Sequence, residues 1–455
     1  MKVLKFGGTS VGSAQRMKNV VSIIRNGEPK IVVLSAMSGT TNSLVDITRC
    51  FYRKEADEAN KIITRLEQTY AGHIEDLYSS VTYKEKALEL VMERFNVIWA
   101  FADTPFTIFD EKVVLAQGEL ISTGMMHLYL QEQGIKSALL PALDFMRINA
   151  DGEPDMAYIS EHLNNQLSRF PGTGIFITQG FICRNAYGET DNLQRGGSDY
   201  SASLIGAAIH AEEIQIWTDI DGMHNNDPRV VDHTAPVRQL NFEEAAKLAY
   251  FGAKILHPFC IRPAKDNNIP VRLLSSLQPE VPGTLISNTA EKGRIKAVAA
   301  KDNIVFIKMK SLNILPPHKF LNVVFETFAL YKTAVDMVTT SDIGVSVTID
   351  NPEHLQEIVT NLEKYATIYV ERDMVIVCVV GDLEWQNVGF EARIIDALKN
   401  IPVRMISYGG SSSNVSLVMK SADKARALQA LSSRLFSKPS VHRKQKRVKR
   451  GRPLF

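Results

Sequence analysis

The sequence predicts an α/β protein in which a central, mostly parallel sheet lies between helices and is followed by two smaller α+β units. Two observations lead to this prediction. Before about residue 290, short apolar runs alternate with stretches of helical periodicity, and this alternation is typical of a parallel sheet with helices on both faces. Beyond that point, short strands and helices occur twice at a spacing of about 70 residues.

The first domain is expected to occupy residues 1–290. Apolar runs at 31–34, 174–177 and 214–217 are predicted strands of its sheet. A mostly helical stretch covers about residues 43–100, and its clearest amphipathic segment is 84–99. The polar, turn-rich run at 287–293 is expected to end the domain.

The second part of the chain contains two copies of one pattern, in which two strands lie between two helices. The predicted segments are, in order, helix 320–331, strands 335–339 and 345–349, helix 353–365, helix 389–398, strands 403–407 and 415–419, and helix 422–435. This repeat divides the region into two predicted α+β units, at residues 298–371 and 372–437.

Composition is that of a globular protein, with 455 residues of which 45% are hydrophobic and 22% charged. This length predicts two or three domains, each able to bury a core. No uncharged run of about 18 residues is present, and charge and glycine interrupt the first apolar run within eight residues, so we expect a cytoplasmic protein without a secretory leader. The four cysteines are far apart and lack zinc spacing, which predicts reduced core thiols.

The net charge of +2 is unevenly distributed along the chain. Residues 438–455 hold eight of the lysines and arginines and no acid, which leaves 44 basic against 50 acidic residues elsewhere. This tail lacks apolar periodicity and is predicted to be disordered. Its 450–453 run, Arg-Gly-Arg-Pro, has the chemistry to enter an A·T-rich minor groove or lie along RNA phosphates, but a solvated tail is the favoured interpretation.

The first twelve residues predict a phosphate site. Val3, Leu4 and Phe6 form an apolar strand, Lys5 supplies a positive charge, and the glycines that follow allow a tight turn whose amides face an anion at the next helix. The pattern is not a Walker A loop, because the lysine comes before the glycines, and it is not the G-x-G-x-x-G of dinucleotide sites. A plain strand ending in a Gly-Gly turn is an equally supported alternative.

Four further segments carry polar residues suited to a site. Residues 33–42 leave a predicted strand and present the hydroxyls of Ser35, Ser38, Thr40 and Thr41. Glu119 follows a glycine where a helix is expected to begin, a position at which an acid also stabilises the helix.

The other two segments combine charge with turn residues. Residues 195–200, Arg-Gly-Gly-Ser-Asp-Tyr, are expected to open a helix and to offer a guanidinium, free amides and Asp199 at one point. Residues 217–222 follow a strand and contain Asp-x-Asp-Gly, but the distal glutamate of a calcium-binding EF-hand loop is missing.

These motifs occur together in the order Lys-Phe-Gly-Gly-Thr-Ser, Gly-Glu-Leu-x-Ser, Arg-Gly-Gly-Ser-Asp-Tyr, Trp-Thr-Asp and Phe-Gly-Ala-Lys-Ile-Leu-His-Pro. In this the chain resembles the aspartate kinases over residues 1–437, and it is most similar to the single-function, lysine-sensitive type. The resemblance implies an amino-acid-kinase fold followed by two ferredoxin-like ACT domains. It also implies phosphoryl transfer from MgATP to the side-chain carboxylate of L-aspartate, the first step towards lysine, threonine and methionine.

The resemblance assigns roles to individual residues. The catalytic set is Lys5, Gly8 and Asp199. The aspartate-binding set is Thr41, Glu119, Arg195, Gly196, Gly197 and Ser198. The nucleotide-binding set is Lys5, Phe6, Gly7, Gly8, Ser35, Thr218, Asp219, His224, Arg229, Lys254 and Ile255. Mg²⁺ is expected to arrive with ATP, without a direct protein ligand.

Within these sets, Ser35 is expected to support Lys5, and Glu119 and Asp199 are expected to receive the substrate's ammonium. His224 stands where an aromatic residue is usual in the family. Two assignments have plain alternatives: residues 227–229 as a turn with a solvated arginine, and Lys254 as a cation at a helix end.

The resemblance also implies feedback by an amino acid at the ACT region and a homodimer formed through it. The implied effector-facing residues are Ile314, Pro317, Phe320, Leu321, Val335, Asp336, Thr340, Ser341 and Asp342. The run 314–320 departs from the lysine-sensitive pattern, with Lys319 where a small residue is usual. Because a cation repels a lysine ammonium, we expect a weakened lysine response or another effector such as threonine.

Two other functions compete with the aspartate kinase. One is a different enzyme of the amino-acid-kinase type, glutamate 5-kinase or acetylglutamate kinase, against which residues 217–219 and the doubled ACT region argue. The other is a catalytically silent amino-acid sensor or nucleic-acid binder, against which Lys5, Arg195 and Asp199 argue.

Overall fold

The computed structural model describes residues 1–102, 104–193, 196–252, 257–289, 291–312, 314–341 and 343–436. Four predicted site residues, Arg195, Lys254, Ile255 and Asp342, lie outside the described residues, as does the predicted tail at 438–455. Among the described helices, none is both long and apolar enough to cross a membrane.

The strands of the first domain are β1 Lys2–Phe6, β2 Lys30–Leu34, β3 Ser137–Leu140, β4 Ile175–Gln179, β5 Ile182–Arg184, β6 Thr190–Asn192, β7 Ile214–Thr218, β8 Gln239–Asn241, β9 Val271–Ser275 and β10 Thr284–Ser287. Its helices are α1 Gly8–Val11, α2 Ala14–Ile24, α3 Thr40–Arg53, α4 Ala56–Leu77, α5 Val81–Trp99, α6 Ile108–Glu132, α7 Met156–Ser168, α8 Gly197–Ala208, α9 Phe242–Tyr250 and α10 Pro258–Asp266.

Eight of these strands form one sheet in the order β3-β4-β2-β1-β7-β9-β10-β8. Neighbours run parallel except β9 and β10, which are antiparallel. Alternate residues of the central strands pack into two different hydrophobic cores. Val3 and Ile31 belong to one core, and Leu4 and Val32 belong to the other. A sheet buried on both faces needs strands that are apolar throughout, and β2 is buried at all five positions. The predicted fold class of this domain is confirmed.

The second part of the chain forms a six-stranded antiparallel sheet with helices. Its strands are β11 Ile295–Ser311, β12 Met337–Ser341, β13 Gly344–Ile349, β14 Ala366–Gly381, β15 Met405–Ser407 and β16 Asn414–Lys420, in the sheet order β12-β13-β11-β14-β16-β15. Its helices are α11 Pro317–Leu330, α12 Leu355–Leu362, α13 Phe390–Ala397 and α14 Lys424–Leu435.

The structure divides the two repeats differently from the predicted boundaries at 298 and 372. Both boundaries fall inside continuous strands, β11 and β14, which run the length of the sheet side by side. The register shifts between Lys301 and Ile304, and the part of β11 before this shift pairs with the end of β14 in the second repeat. The second unit therefore includes residues 295–301, which a pattern of contiguous repeats could not show.

Candidate functional site

The candidate site lies at the carboxyl ends of the central strands. Phe6 of β1 is in register with Leu34 of β2 and with Trp217 of β7, so the turns that follow these three strands meet at one edge of the sheet. Ligands of open α/β sheets bind at this edge, where neighbouring loops diverge. The sequence motifs after β1, β2 and β7 are thereby brought together.

Lys5 and Asp199 form an ion pair at the centre of this edge. Lys5 Nζ lies 2.6 Å from Asp199 Oδ1, and the two side chains are 12% and 16% exposed. Asp199 is in the first turn of α8, and Gly196 precedes that helix with a φ of 76°. A Cβ at Gly196 would lie 2.6 Å from Cys260 Sγ, so this position at the helix start requires glycine.

The glycine turn after β1 differs in one respect from the prediction of two anion-facing amides. The Gly7 N–H donates to the Trp217 carbonyl at 3.3 Å, so this amide is already satisfied inside the sheet. Gly8 begins the single-turn helix α1, and a Cβ there would lie 2.9 Å from the Ala36 carbonyl oxygen. The Phe6 side chain is fully buried and stacks on Trp217, so it can meet a nucleotide only through its backbone.

Glu119 lies in the middle of α6, and the prediction that it follows a helix start is wrong. The helix begins eleven residues earlier behind a capping box formed by Thr107 and Asp110. Gly118 lies inside the helix because α6 packs closely on the turn after β2: a Cβ at Gly118 would be 2.8 Å from Ala36 Cβ.

The Glu119 carboxyl group is almost completely buried and only partly satisfied. Its Oε1 accepts from the Ala36 N–H at 3.1 Å, whereas its Oε2 is buried without a hydrogen-bond partner. Burial raises the pKa of Glu119 to about 8, although the Ala36 amide and the Lys5 ammonium act in the opposite direction. A buried acceptor without a donor is costly, so this oxygen is available to a cationic or hydrogen-bonding ligand.

The predicted hydroxyls divide between the site and the core. Ser35 Oγ donates to Ser198 Oγ at 2.9 Å, in the first turn of α8 and next in sequence to Asp199. Thr40 is buried and shares a hydrogen bond with Tyr70 OH, whereas Thr41 is exposed at the start of α3.

The segment after β7 carries four predicted nucleotide residues, of which His224 and Arg229 line a separate cavity. Thr218 Oγ1 donates to Asp219 at 3.0 Å. The His224 ring is held by Asp221 at 2.6 Å and Thr234 at 2.7 Å.

Arg229 makes a two-point contact with Asp227, at 2.9 Å and 2.8 Å, and its side chain is 73% exposed. This is the arrangement of a turn with a solvated arginine. His224 and Arg229 line a cavity of about 770 Å³ together with Gly252, Lys301 and Lys424.

A group of buried polar side chains next to the site was not predicted from the sequence. Gln179 Nε2 donates to Thr123 Oγ1 at 2.8 Å, and its Oε1 accepts from the Ala142 N–H at 2.7 Å. Asn192 is also buried, and neither end of its amide has a partner. A signal was available for Gln179, because it is a polar residue at the carboxyl end of a central strand, in register with Leu34.

The predicted effector residues lie around the first repeat. Asp336 precedes β12, and its side chain is 1% exposed. Phe320 is buried in α11, and Pro317 is the first residue of that helix. Of the other described effector residues, Ile314, Thr340 and Ser341 are exposed, and Leu321 and Val335 are half-buried. Thr340 and Ser341 line a cavity of about 300 Å³.

Other expected features can be placed as well. All four cysteines are buried and carry free thiols, as predicted. Within the described ranges, no group of three or more histidine, cysteine, aspartate or glutamate side chains could hold a metal ion.

Comparison with known proteins gives the family. The sequence profile of the amino acid kinase family matches residues 1–275, and that of an ACT domain matches residues 377–435. The chain is 33% identical over 450 residues to the lysine-sensitive aspartokinase 3 of Escherichia coli, which covers 95% of this chain and 99% of that protein.

Two solved structures of E. coli aspartokinase III are similar over 96% of this chain and all of theirs. The complex with aspartate and ADP has a TM-score of 0.80 at 32% identity, and the complex with lysine and aspartate has 0.77 at 33%. The resemblance read from the motifs and the predicted fold class are thus confirmed, and the chain belongs to the aspartokinase family.

Proposed function

We propose that this protein transfers the γ-phosphoryl group of MgATP to the side-chain carboxylate of L-aspartate, giving 4-phospho-L-aspartate for the synthesis of lysine, threonine and methionine. One observation supports it most strongly. A largely buried Lys5–Asp199 ion pair lies at the carboxyl edge of the sheet, and Lys5 also acts electrostatically on the buried Glu119, which has an unpartnered oxygen. This arrangement offers a cation to phosphate and a buried carboxyl group that an amino acid's ammonium would convert to an anion on binding.

The chemistry needs no general base, because an aspartate carboxylate is already ionised at neutral pH and can attack phosphorus directly. Two anions must be brought into line, so the main task is to offset their repulsion and the charge on the transferring group. Lys5 supplies a fixed positive charge for this purpose. The Asp199 carboxylate holds the Lys5 ammonium in place before the substrates bind.

The substrate's two α-substituents would be recognised by opposite charges. The buried Oε2 of Glu119 would accept from the ammonium of aspartate, and that ammonium would favour the ionised carboxylate and lower its raised pKa. Arg195 would grip the α-carboxylate with two hydrogen bonds. The remaining proposed aspartate contacts are Thr41, Gly196, Gly197 and Ser198.

ATP would enter beside the turn after β7. The proposed nucleotide contacts are Lys5, Phe6, Gly7, Gly8, Ser35, Thr218, Asp219, His224, Arg229, Lys254 and Ile255, with Phe6 and Gly7 acting through their backbone. Arg229 would exchange Asp227 for phosphate, because its own side chain is 73% exposed and exposed ion pairs contribute little to stability. Mg²⁺ would be carried by the nucleotide, and when bound it neutralises phosphate charge.

Regulation is proposed at the C-terminal sheet. A free amino acid, lysine or threonine, would bind at the first repeat and inhibit, and a homodimer would form through the same region. The E. coli relative solved with lysine and aspartate supports feedback of this kind. The protein would work in the cytoplasm.

The direct test is turnover of MgATP with L-aspartate in the presence of hydroxylamine, which traps an acyl phosphate as a hydroxamate. We expect aspartyl hydroxamate, and a much lower yield with L-glutamate as the matched substrate. Equal yields with both would favour another amino acid kinase. No hydroxamate from folded protein would contradict the proposal.

A further inference from the structure

The turn between α2 and β2 has an open backbone beside an asparagine side chain. Asn26 is followed directly by Gly27, and both residues are exposed. Gly27 has a φ of 83°, and a Cβ on it would meet no heavy atom within 4 Å. Its N–H makes no hydrogen bond among the described contacts. Because glycine has no side chain to shield it, this nitrogen can approach the side-chain carbonyl carbon of Asn26.

The Asn26 side chain is in turn held by a buried lysine. Lys30 is 1% exposed, and its ammonium donates to Asn26 Oδ1 and, at 2.7 Å, to the Ile24 carbonyl oxygen at the end of α2. No ion pair of the described residues includes Lys30, so its charge is met by neutral oxygens. Burial lowers the pKa of Lys30, although Glu28 acts in the opposite direction. A carboxylate in place of the Asn26 amide would give this cation a charged partner.

The same contacts suit a chemical conversion of Asn26. The Gly27 nitrogen, on losing its proton to solvent, attacks Cγ of Asn26, and the new C–N bond closes a succinimide ring. The bond from Cγ to Nδ2 breaks, and this nitrogen takes up a proton and leaves as ammonia. Water then adds to either ring carbonyl and opens the ring to aspartate or isoaspartate. The Lys30 ammonium on Oδ1 would stabilise the negative charge that develops on this oxygen during the attack.

We propose that Asn26 is a deamidation site assisted by the Lys30 ammonium, and that the aspartate it forms becomes the ion-pair partner that Lys30 lacks. The new carboxylate would also face Glu28, which accepts from Asn26 Nδ2 at 3.4 Å. The Glu28 side chain is 51% exposed and paired with Lys2 at 2.9 Å, so solvent and Lys2 offset this repulsion.

The modified turn lies away from the candidate site. Lys2 and Lys30 are in register at the start of β1 and β2, whereas the candidate site lies at the carboxyl ends of these strands. The inference therefore does not depend on the proposed function, and deamidation is expected to leave the yield of aspartyl hydroxamate unchanged.

Peptide mapping by mass spectrometry tests the site in the full-length protein after incubation at mildly alkaline pH. We expect the mass change of deamidation at Asn26, increased when the water carries ¹⁸O, well before any at Asn42, which precedes Ser43 inside α3. Lys30→Gln is expected to slow the reaction about tenfold, as the loss of one charge-assisted hydrogen bond does. Equal rates at Asn26 and Asn42, or an unchanged rate in Lys30→Gln, would overturn the proposed site or the role of Lys30.

Asn26→Asp tests the effect of the product and leaves Lys30 in place. We expect its melting temperature to rise by about 1–3 °C above that of the wild type, because the buried ammonium gains a charged partner. The matched control is Asn19→Asp, which adds the same charge to α2 where the Asn19 oxygen accepts from Gln15 at 3.0 Å. No rise in Asn26→Asp, or an equal rise in Asn19→Asp, would contradict the new ion pair.

Discussion

At the scale of single residues, the candidate site consists of buried polar groups that are only partly satisfied. Lys5 has Asp199 as its partner, but Glu119 keeps one buried oxygen without any. Unbalanced buried groups are costly to a folded protein and persist where a ligand completes them. The residue types were predictable from the motifs. The burial of Glu119 was not, because it depends on how α6 packs against the turn after β2.

Replacing Asp199 by asparagine is expected to lower kcat/KM for aspartate by about 10- to 100-fold, because the change removes a charge-assisted contact of about 1.5–3 kcal/mol that positions Lys5. Initial rates of hydroxamate formation measure this. The matched control is Glu213→Gln, which breaks the Arg272–Glu213 pair of 2.9 Å at the opposite end of β7. A similar loss of rate in both variants would mean that Asp199 matters only for stability.

Glu119→Gln is expected to change how stability depends on pH. The pKa of Glu119 rises from its ordinary 4.5 to about 8 in the folded protein, so the stability contributed by its protonated form is fully present below about pH 4.5. It is lost as the pH rises to about 8, at up to roughly 1.4 kcal/mol per pH unit. The melting temperature of the wild type should therefore fall relative to that of the variant between pH 5 and 8.

Bound aspartate should reduce this fall in the melting temperature of the wild type, because its ammonium would stabilise the ionised Glu119 carboxylate. If the melting temperatures of the wild type and Glu119→Gln change with pH in the same way across this range, the assignment of a raised pKa to Glu119 is refuted.

At the scale of secondary-structure elements, the periodic segments were predictable and their ends were not. The predicted strand 214–217 is found as β7, and the predicted helix 84–99 is found within α5. The start of α6 was misplaced because Gly118 is a weak helix former in isolation. Its neighbours in the fold explain why a residue without a side chain is required there: Ala36 and Thr40 occupy that space.

Two glycines inside helices allow the effect of helix propensity on stability to be measured apart from the effect of close packing. Gly118→Ala is expected to destabilise the protein and lower activity, since the new methyl group would push on Ala36, whose N–H binds Glu119. Gly72→Ala in α4 has no heavy atom within 4 Å of the new carbon and is expected to stabilise by about 0.5–1 kcal/mol. Melting temperatures measure both. Stabilisation by both substitutions would show that α6 does not pack closely there.

At the scale of the whole molecule, the two parts of the chain share a core. One hydrophobic cluster extends from Val3 and Ile31 of the first sheet to Ile376 and Val418 of the second. The repeat at about 70 residues predicted the second sheet's elements, but it could not show that β11 and β14 run through both units. Such long strands make the two repeats one continuous sheet.

The central claim is that the side-chain carboxylate of aspartate attacks ATP at this site. The most direct measurement is ³¹P NMR of the product formed from MgATP and L-aspartate carrying ¹⁸O in that carboxylate. The proposed reaction predicts an acyl phosphate resonance displaced upfield by ¹⁸O in the bridging position. An acyl phosphate resonance without the isotope displacement, or no acyl phosphate from folded protein, would contradict it.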